Sequence, residues 1–260
     1  MTNKINLDST HKNTWCPGCG NFAILNAYKE AVTEIIKEKK MKQEDFVVSA
    51  GIGCHGKLID FLKLNSFDAL HGRTVAVATG VKIANPKLIV TAFTGDGDAY
   101  AEGVAHIVHA AKRNSNINVL VHDNSVFALT TGQFTPTSKK GYQGKSTPYG
   151  SLEKPINPLK LLLSSGATFV ARGSSTNPVQ LKKIIKRAML HKGFSVVNIL
   201  QPCVVFNNTW EYLSKNVYEI KGHDEKNYEK AYKKVSENSG KIPLGVFYCN
   251  DKEISFEEQI

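Results

Sequence analysis

Three short, predominantly apolar runs constrain the fold of this chain more than any other feature of its sequence. They span residues 88–93, 117–121 and 194–200 and are rich in β-branched side chains. Such runs are typical of strands buried on both faces, as in a parallel sheet covered by helices. Residues 104–111, between the first two runs, carry apolar side chains at helical spacing. Strands that alternate with helices predict an α/β fold, a mainly parallel sheet with helices on both faces.

Further elements extend this alternation. Residues 46–50 predict another strand, and apolar side chains at helical spacing predict helices around residues 25–36 and 72–84. The pairs Asn157-Pro158 and Asn177-Pro178 each predict an N-cap followed by the first residue of a helix, where the missing N–H of proline is no loss. The sequence therefore predicts helices between most of the strands.

Two stretches lack usable periodicity. Residues 130–155 are rich in Gly, Pro, Ser, Thr and Lys, and a loop of this length in a compact domain is usually functional. From residue 207 onwards the chain is polar and its pattern predicts irregular structure. We therefore predict a main domain of residues 1–206 and a C-terminal extension of residues 207–260, which is a candidate to wrap a partner subunit.

The composition favours a soluble enzyme over a nucleic-acid-binding or membrane protein. The formal net charge is +10, but the lysines are spread along the chain, so a solvated surface with weak electrostatic steering is the simpler interpretation. No apolar run approaches the roughly 20 residues that span a bilayer, and the first residues are too polar for a secretory signal. These features predict a cytoplasmic protein without a membrane or nucleic-acid partner.

The unusual motifs of the chain all follow predicted strands. They are Gly53-Cys54, Gly95-Asp96-Gly97, Asp123-Asn124 and Pro202-Cys203. Ligands of parallel sheets bind at the carboxyl ends of the strands, which meet at one edge. The shared placement therefore predicts one composite site.

Gly95-Asp96-Gly97 lies where a predicted strand becomes a helix. Glycines there let backbone N–H groups approach an anion, and a helix N-terminus favours negative charge. A carboxylate at that point suits a divalent cation between itself and a phosphate, with Asn124 and the carbonyl of Val126 as further oxygen ligands for Mg²⁺. The triplet alone is typical of many turns. Its pairing with Asn124, which follows Gly97 after 26 intervening residues, resembles the thiamine diphosphate motif.

The cysteines predict a metal or redox centre, because Cys-x-x-Cys spacing in a cytosolic chain favours such chemistry over disulfides. Cys16 and Cys19 lie in one turn, and Cys54 and Cys203 each close a predicted strand. Four thiolates suit a [4Fe–4S] cluster or structural zinc, and a thioredoxin-like dithiol is a third alternative for the turn. A neighbouring thiamine diphosphate favours the redox cluster, because zinc cannot accept electrons. Cys249 is left over as a buried free thiol.

The order of these motifs resembles the beta subunit of 2-oxoacid:ferredoxin oxidoreductases. The resemblance covers roughly residues 15–206. Its motifs lie at residues 15–21, 51–54, 71–73, 95–98, 123–124, 131–133 and 201–203.

The resemblance implies a site for each group. The implied ligands of a [4Fe–4S] cluster are Cys16, Cys19, Cys54 and Cys203. The implied ligands of Mg²⁺ are Asp96, Asn124 and Val126. The implied contacts of thiamine diphosphate are Ile52, Gly53, Cys54, His55, His71, Gly95, Gly97, Asp98, Ala128 and Leu129. The implied substrate pocket includes Lys57 and Leu129.

The resemblance also implies an activity, the oxidative decarboxylation of 2-oxoglutarate, pyruvate or both. The products are an acyl-coenzyme A and carbon dioxide, and the electrons pass through the cluster to ferredoxin. The chain departs from the family's pattern at His55, where serine is common, and at Phe127, where tyrosine is common. These departures touch the site and leave the substrate range open.

A partner is implied as well, because thiamine diphosphate normally lies between two domains and this chain carries one motif set. We expect it to need an alpha-type subunit, and its positive charge suits an acidic ferredoxin. Two other functions remain open on the sequence. One is a thiamine diphosphate decarboxylase subunit whose cysteines hold zinc, and the other is a basic nucleic-acid-binding module with structural zinc.

Overall fold

The computed structural model of the chain describes residues 5–237 and 240–260, which form a central sheet covered by helices. The strands are β1 Phe46–Ala50, β2 Asn65–Asp68, β3 Ile89–Gly95, β4 Asn118–Asp123, β5 Val126–Phe127, β6 Gln133–Phe134, β7 Phe169–Ser174, β8 Ser195–Leu200, β9 Val217–Glu219 and β10 Ile242–Cys249.

The helices occupy the segments between the strands. They are α1 Asn21–Lys39, α2 Thr74–Ala84, α3 Val104–Arg113, α4 Pro158–Ser164, α5 Pro178–Leu190, α6 Trp210–Asn216 and α7 Tyr228–Val235. Both predicted Asn-Pro caps are confirmed. The Asn157 side chain accepts from the Lys160 N–H at 3.1 Å, and the Asn177 side chain accepts from the Gln180 N–H at 3.3 Å.

The main sheet has the order β2-β1-β3-β4-β8-β7-β10-β9. All neighbouring pairs are parallel except β7 with β10. Helices α1 and α5 pack on one face of the sheet, and α2, α3, α4 and α7 pack on the other. The predicted fold class, a mainly parallel sheet with helices on both faces, is confirmed.

The segment after residue 207 is more regular than its sequence predicts. The expectation of irregular structure was wrong, because the described part contains α6, α7, β9 and β10. β10 pairs with β7, and its Phe247 is fully buried in the core. The extension therefore completes the sheet. The division of the chain at residues 206 and 207, and a role in wrapping a partner, stay predictions.

Among the described residues, no helix is both long enough and apolar enough to cross a membrane. Residues 1–4, on which the expectation about a secretory signal partly rests, lie outside the described residues.

Candidate functional site

One pocket opens at the carboxyl ends of β1, β3 and β4. The residues that line it are Ile52, Gly53, Cys54, His55, His71, Gly95, Asp96, Gly97, Asp98, His122, Asn124, Val126, Phe127, Ala128, Leu129, Thr130 and Gln201. All of the residues that the resemblance implies for thiamine diphosphate and Mg²⁺ are in this set. The parallel strands bring them together because each motif follows the last residue of its strand.

Asp96 is a buried carboxylate at the end of β3. Its side chain is 2% exposed and accepts hydrogen bonds from the hydroxyls of Thr135 and Thr137. Burial and, after it, the nearby carboxylate of Asp123 raise the pKa of Asp96 to about 7, although the hydroxyls of Thr135 and Thr137 act in the opposite direction. A buried charge is costly without a counter-charge, so a cation at this point would stabilise the ionised form.

Asp123 is a second buried carboxylate, at the end of β4. The hydroxyl of Thr137 lies 2.7 Å from Asp96 Oδ2 and 3.0 Å from Asp123 Oδ1, so it bridges the two carboxylates. The Asn198 side-chain amide donates to Asp123 Oδ2 at 3.0 Å, and its carbonyl oxygen accepts from the Tyr100 hydroxyl at 2.8 Å. This network fixes the carboxylates from behind the pocket.

The loop from Asn124 to Val126 turns sharply after β4. Asn124 Oδ1 accepts from the Val126 N–H at 3.0 Å, and Ser125 between them has a φ of 58°. A left-handed backbone is unfavourable for a serine, and such strain is often found at functional sites. The turn places both Asn124 and Val126 in the wall of the pocket.

Asp98 lies at the start of a π-helix, Asp98–Glu102, and interacts with two histidines. Thr94 Oγ1 and the Gly72 N–H each donate to its carboxylate at 2.6 Å. His55 Nε2 and His71 Nδ1 lie 3.6 and 3.4 Å away. Burial alone would raise the pKa of Asp98, but His55, Thr94 and Gly72 outweigh it and lower the pKa below its usual value. Asp98 is therefore a fixed negative charge beside the pocket.

Three ring nitrogens of pocket histidines are buried without a hydrogen-bond partner in the described part of the chain. They are His55 Nε2, His71 Nδ1 and His122 Nε2. His122 Nδ1 lies 2.7 Å from Asn21 Oδ1, and burial with His55 nearby lowers the pKa of His122 well below its usual value. Two of the three nitrogens, His55 Nε2 and His71 Nδ1, face the Asp98 carboxylate. Since buried polar atoms are normally paired, His122 Nε2 is suited to a polar ligand in the pocket.

Two glycines of the pocket region have no room for a side chain. A Cβ at Gly97 would lie 2.2 Å from the Phe127 ring, and one at Gly51 would lie 1.9 Å from Asp98 Oδ2. Any larger residue would displace the aromatic wall or the Asp98 carboxylate. The two glycine positions are therefore fixed by the close approach of a neighbouring side chain.

Four cysteines meet beside the pocket. Cys16 is exposed, Cys19 and Cys54 are half-buried, and Cys203 is buried. Burial, with smaller contributions from the nearby Cys19, Cys203 and Cys16, raises the pKa of Cys54 to about 11. Burial likewise raises the pKa of Cys19, and Cys203 and Cys16 add to the effect. Cys16 and Cys203 therefore lie near Cys19 and Cys54, and the four sulfurs suit a cationic centre between them.

Backbone contacts hold these cysteine loops in place. Trp15 Nε1 donates to the Cys54 carbonyl at 2.7 Å, and the Gly20 N–H donates to the Pro202 carbonyl at 3.4 Å. Trp210 Nε1, from α6, donates to the Gly18 carbonyl at 2.9 Å. The C-terminal extension thus supports the Cys16–Cys19 turn directly.

The two implied substrate residues differ in their position. Leu129 lines the pocket and is 46% exposed. Lys57 does not line it and lies on the short 3₁₀ helix Gly56–Phe61, which follows His55.

Sequence reasoning missed Thr135, Thr137, Asp123 and His122 as functional candidates. The threonines lie in the loop that has no periodicity, and only the length of that loop indicated function. Asp123 and His122 end β4 beside Asn124, and their position at a strand's carboxyl end was the available signal.

Comparison with protein families supports a cofactor site in the same region of the chain. The family model described as "Thiamine pyrophosphate enzyme, C-terminal TPP binding domain" matches residues 51–199. A second model, which describes the C-terminal region of the beta chain of pyruvate ferredoxin oxidoreductase, matches residues 203–260. Because the first match covers more than half of the chain, fold and pocket define a thiamine pyrophosphate (thiamine diphosphate) enzyme domain.

Individual relatives narrow this class. The chain is 42% identical to the 2-oxoacid:ferredoxin oxidoreductase subunit beta of a Sulfolobus species, over 95% of this chain and 85% of the relative. It is 34% identical to the 2-oxoglutarate synthase subunit KorB of Methanocaldococcus jannaschii, over 94% and 90%. This chain belongs to the beta subunits of the 2-oxoacid:ferredoxin oxidoreductases, and the resemblance drawn from the ordered motifs is confirmed.

A solved structure has the same fold. It is the 2-oxoglutarate:ferredoxin oxidoreductase from Magnetococcus marinus with 2-oxoglutarate, coenzyme A and succinyl-CoA bound. The match has a TM-score of 0.93 at 35% identity, and it covers 100% of this chain and 89% of the other.

Proposed function

We propose that this chain is the beta subunit of an enzyme that oxidatively decarboxylates a 2-oxoacid to an acyl-coenzyme A and carbon dioxide. Its pocket binds thiamine diphosphate through Mg²⁺, and a [4Fe–4S] cluster beside the pocket conducts electrons to ferredoxin. The 2-oxoacid is 2-oxoglutarate, pyruvate or both. The names of the relatives support the 2-oxoacid class and 2-oxoglutarate within it.

The donor set of the pocket fits Mg²⁺. Asp96 supplies a buried carboxylate, Asn124 an amide oxygen and Val126 a main-chain carbonyl, and Mg²⁺ is bound by oxygen ligands of this kind. The raised pKa of Asp96 supports this assignment, because a divalent cation offsets both its burial and its repulsion with Asp123. Thr137 keeps the Asp96 carboxylate oriented.

The diphosphate is proposed to lie at Gly95 and Gly97, where β3 passes into the π-helix. Backbone N–H groups at the start of a helical segment bind anions. The Phe127 ring packs directly against the backbone at Gly97, where a Cβ would not fit. In the part of the chain that the structure describes, His122 Nε2 has no hydrogen-bond partner and supports a further polar contact from the same ligand.

The cysteines fit a metal centre with thiolate ligands. The nearby Cys16 and Cys203 help to raise the pKa of Cys19 and of Cys54, and iron bound to the sulfurs would reverse that effect. Gln201 Nε2 lies 3.6 Å from Cys19 Sγ, and hydrogen bonds to cluster sulfurs tune the reduction potential.

The cofactors and the chain divide the chemistry. When bound, thiamine diphosphate supplies the nucleophile and electron sink for decarboxylation, and the cluster supplies a one-electron path. The chain orients the diphosphate with Asp96 and Asn124, keeps a negative charge at Asp98 and walls the pocket with Phe127 and Leu129.

The main observation behind the proposal is that Cys54 belongs to both sites. It lines the pocket, and the three other cysteines of the proposed cluster lie near enough to contribute to its raised pKa. One residue therefore joins the two centres, as a short path for electrons from the pocket requires. Zinc in place of the cluster would leave this contact without a redox role.

An alpha-type partner subunit is part of the proposal, since relatives of this chain are named as beta subunits. The test is to co-express the chain with that partner under anaerobic conditions. Reduction of a neutral dye is then measured with 2-oxoglutarate, pyruvate and branched 2-oxoacids, each with coenzyme A. We expect a brown complex that reduces the dye with at least 2-oxoglutarate or pyruvate, and only when Mg²⁺ and thiamine diphosphate are present.

Two results would contradict the proposal. A colourless complex that contains zinc and releases carbon dioxide without reducing the dye would favour a non-redox decarboxylase. A complex without any Mg²⁺-dependent binding of thiamine diphosphate would reject the pocket assignment itself.

A further inference from the structure

A second group of ligand-type side chains lies at the opposite edge of the sheet. His191 follows α5, Cys249 is the last residue of β10, and Asp251 lies two residues further on. One atom of each lies within 4.8 Å of the others. Cys249 pairs with Phe169, the first residue of β7, so the group lies at the amino ends of the parallel strands, away from the cofactor pocket.

We propose that His191, Cys249 and Asp251 form a binding site for a zinc-type divalent cation. Nitrogen, sulfur and carboxylate oxygen together are the ligands of Zn²⁺ and its neighbours in the transition series, whereas Mg²⁺ and Ca²⁺ take oxygen ligands. Three protein ligands leave a fourth, tetrahedral position for water.

The distances between the three ligand atoms fit such a cation, and the side chains would need to move little to bind it. Asp251 Oδ1 lies 3.2 Å from His191 Nδ1 and 3.3 Å from Cys249 Sγ. In a tetrahedral site with bonds of about 2.0 to 2.3 Å, ligand atoms lie about 3.3 to 3.8 Å apart. Two edges of the ligand triangle are therefore already within a few tenths of an ångström of this range.

The surroundings of His191 favour the form of imidazole that binds a metal. Its Nε2 lies 2.8 Å from Thr168 Oγ1, whose hydroxyl also lies 2.7 Å from Asn114 Oδ1. Without a metal, the His191 Nδ1 proton is donated to the Asp251 carboxylate at 3.2 Å. When a cation takes the place of that proton, the ring donates from Nε2 to Thr168, whose own proton goes to Asn114. Histidines that bind metals usually donate their other N–H to such a partner. Burial lowers the pKa of His191, which keeps the ring neutral.

The charges of the group also suit a divalent cation. Burial, together with Asp251, raises the pKa of Cys249 to about 12, so its thiol is protonated at neutral pH without a metal. A bound cation would displace that proton, and thiolate with carboxylate would then neutralise its two charges. The nearby Arg187 is paired with Glu225 at 3.0 Å and is therefore already partly neutralised.

Such a site would hold the C-terminal tail against the sheet. It would connect the end of α5, the end of β10 and the segment after it. That segment already makes hydrogen bonds to the same region, from the Asn250 N–H to the Thr168 carbonyl at 2.8 Å and from Asn114 Nδ2 to the Ile254 carbonyl at 3.2 Å. A cation that binds only the folded state raises the thermal midpoint, and tighter binding raises it more.

The test measures zinc binding to the purified full chain against a chromophoric chelator, with Cys249→Ala and Asp251→Asn as variants. Glu253→Gln removes a neighbouring exposed carboxylate outside the group and is the matched control. We expect the two variants to lose one zinc equivalent of the wild-type chain, with affinity weakened at least ~100-fold, beyond the 10–100-fold typical of outer-sphere partners. Glu253→Gln should retain that equivalent.

Two further readouts distinguish this site from the four cysteines beside the pocket. At neutral pH the wild-type chain should release about one proton more on zinc uptake than Cys249→Ala does. The tetrahedral visible bands of cobalt should lose the contribution of one site in Cys249→Ala. Wild-type and Cys249→Ala chains that bind equal zinc with equal affinity would overturn the proposal. If Cys249→Ala does not fold, unchanged binding by Asp251→Asn, whose side chain is 69% exposed, would overturn it equally.

Discussion

The cofactor pocket and the neighbouring cysteine site share Cys54 but differ in construction. The carboxylates of the pocket, Asp96 and Asp123, follow buried strands and are held by hydroxyl and amide donors. The cysteines come from three loops, and among the described residues their sulfurs have few polar partners, such as the amide of Gln201 near Cys19. The pKa values of Cys19 and Cys54 are raised instead.

This difference predicts which of the two sites depends on its metal in order to fold. The pocket is pre-organised by the sheet, so cation and cofactor should bind and leave without much change in the structure of the pocket. The cysteine site gathers thiols that do not ionise readily near each other, so binding of metal and folding of its loops should be coupled. Breaking either site should consequently leave the other intact.

Substitution of Asp96 tests the pocket half of this comparison. Asp96→Asn keeps the shape but removes the charge that binds the cation, and we expect Mg²⁺-dependent binding of thiamine diphosphate to weaken more than ~100-fold, or about 3 kcal/mol. Calorimetry on the complex with its partner subunit measures this. The brown colour should persist, and Glu44→Gln, an exposed carboxylate, should bind normally. Normal cofactor binding by Asp96→Asn would remove Asp96 from the site.

Substitution of Cys16 tests the cysteine site. Cys16→Ser removes an exposed thiol outside the pocket, and we expect loss of the cluster absorption and a fall in dye reduction of at least ~100-fold, since no other one-electron path is proposed. The thermal midpoint should fall, because the loops lose their shared centre. Binding of thiamine diphosphate with Mg²⁺ should stay close to that of the wild type. A variant that keeps its cluster would contradict the ligand assignment.

Substitution of Thr137, whose hydroxyl lies between the carboxylates of Asp96 and Asp123, should have a smaller effect. Thr137→Val leaves Asp96 and Asp123 to repel each other without a bridging donor, so Mg²⁺ affinity should fall about 10–100-fold, as for other outer-sphere partners. Thr147→Val, in the same loop but bonded to the Tyr142 carbonyl, is the control. Equal Mg²⁺ titrations of the two variants would show that the bridge is not needed.

The pH dependence of Mg²⁺ binding should be smaller again. Mg²⁺ needs the ionised form of Asp96, whose pKa is raised to about 7. Apparent affinity should therefore be full above about pH 8 and fall up to about tenfold per unit below about pH 7, as protons compete. Asp123→Asn removes a charge that raises this pKa and should move the fall to lower pH. A profile that is flat from about pH 8 to about pH 5 would contradict the shift.

Ionic strength should have the smallest effect. The net charge of +10 is expected to steer an acidic ferredoxin, so raising salt should slow its reduction several-fold while reduction of a neutral dye stays constant. Stopped-flow measurements with both acceptors test this. Equal slowing of both reactions would place the salt effect on the enzyme itself.

The sequence predicted the residues of the pocket better than the network behind them. Asp96, Asn124 and Cys54 were found because each follows a buried, β-branched strand, and parallel strands end at one edge. Thr135 and Thr137 reach Asp96 from a separate loop, 39 and 41 residues further along the chain, and no local pattern encodes such a contact. The left-handed Ser125 also gave no signal, since serine is not a typical residue for that conformation.

The strands of the main sheet that sequence reasoning missed are β2 and β9, at its two edges, and β7 and β10, which lie between β8 and β9. β10 contains Pro243 and Gly245, and its register shifts between Val246 and Tyr248. Proline and glycine weaken a strand pattern, and a bulge breaks its alternation, so the segment looked irregular. All four residues of β2 are exposed and carry no apolar pattern, because β2 is an edge strand that pairs with β1 alone.

The most direct test of the account is the position of the cation. Crystals of the complex with its partner subunit would be grown with thiamine diphosphate and Mn²⁺ in place of Mg²⁺, and the anomalous signal of manganese would be located. A peak in contact with the side-chain oxygens of Asp96 and Asn124, next to the diphosphate, is the expected result. Bound thiamine diphosphate with its manganese elsewhere, or with no contact to Asp96, would contradict the account.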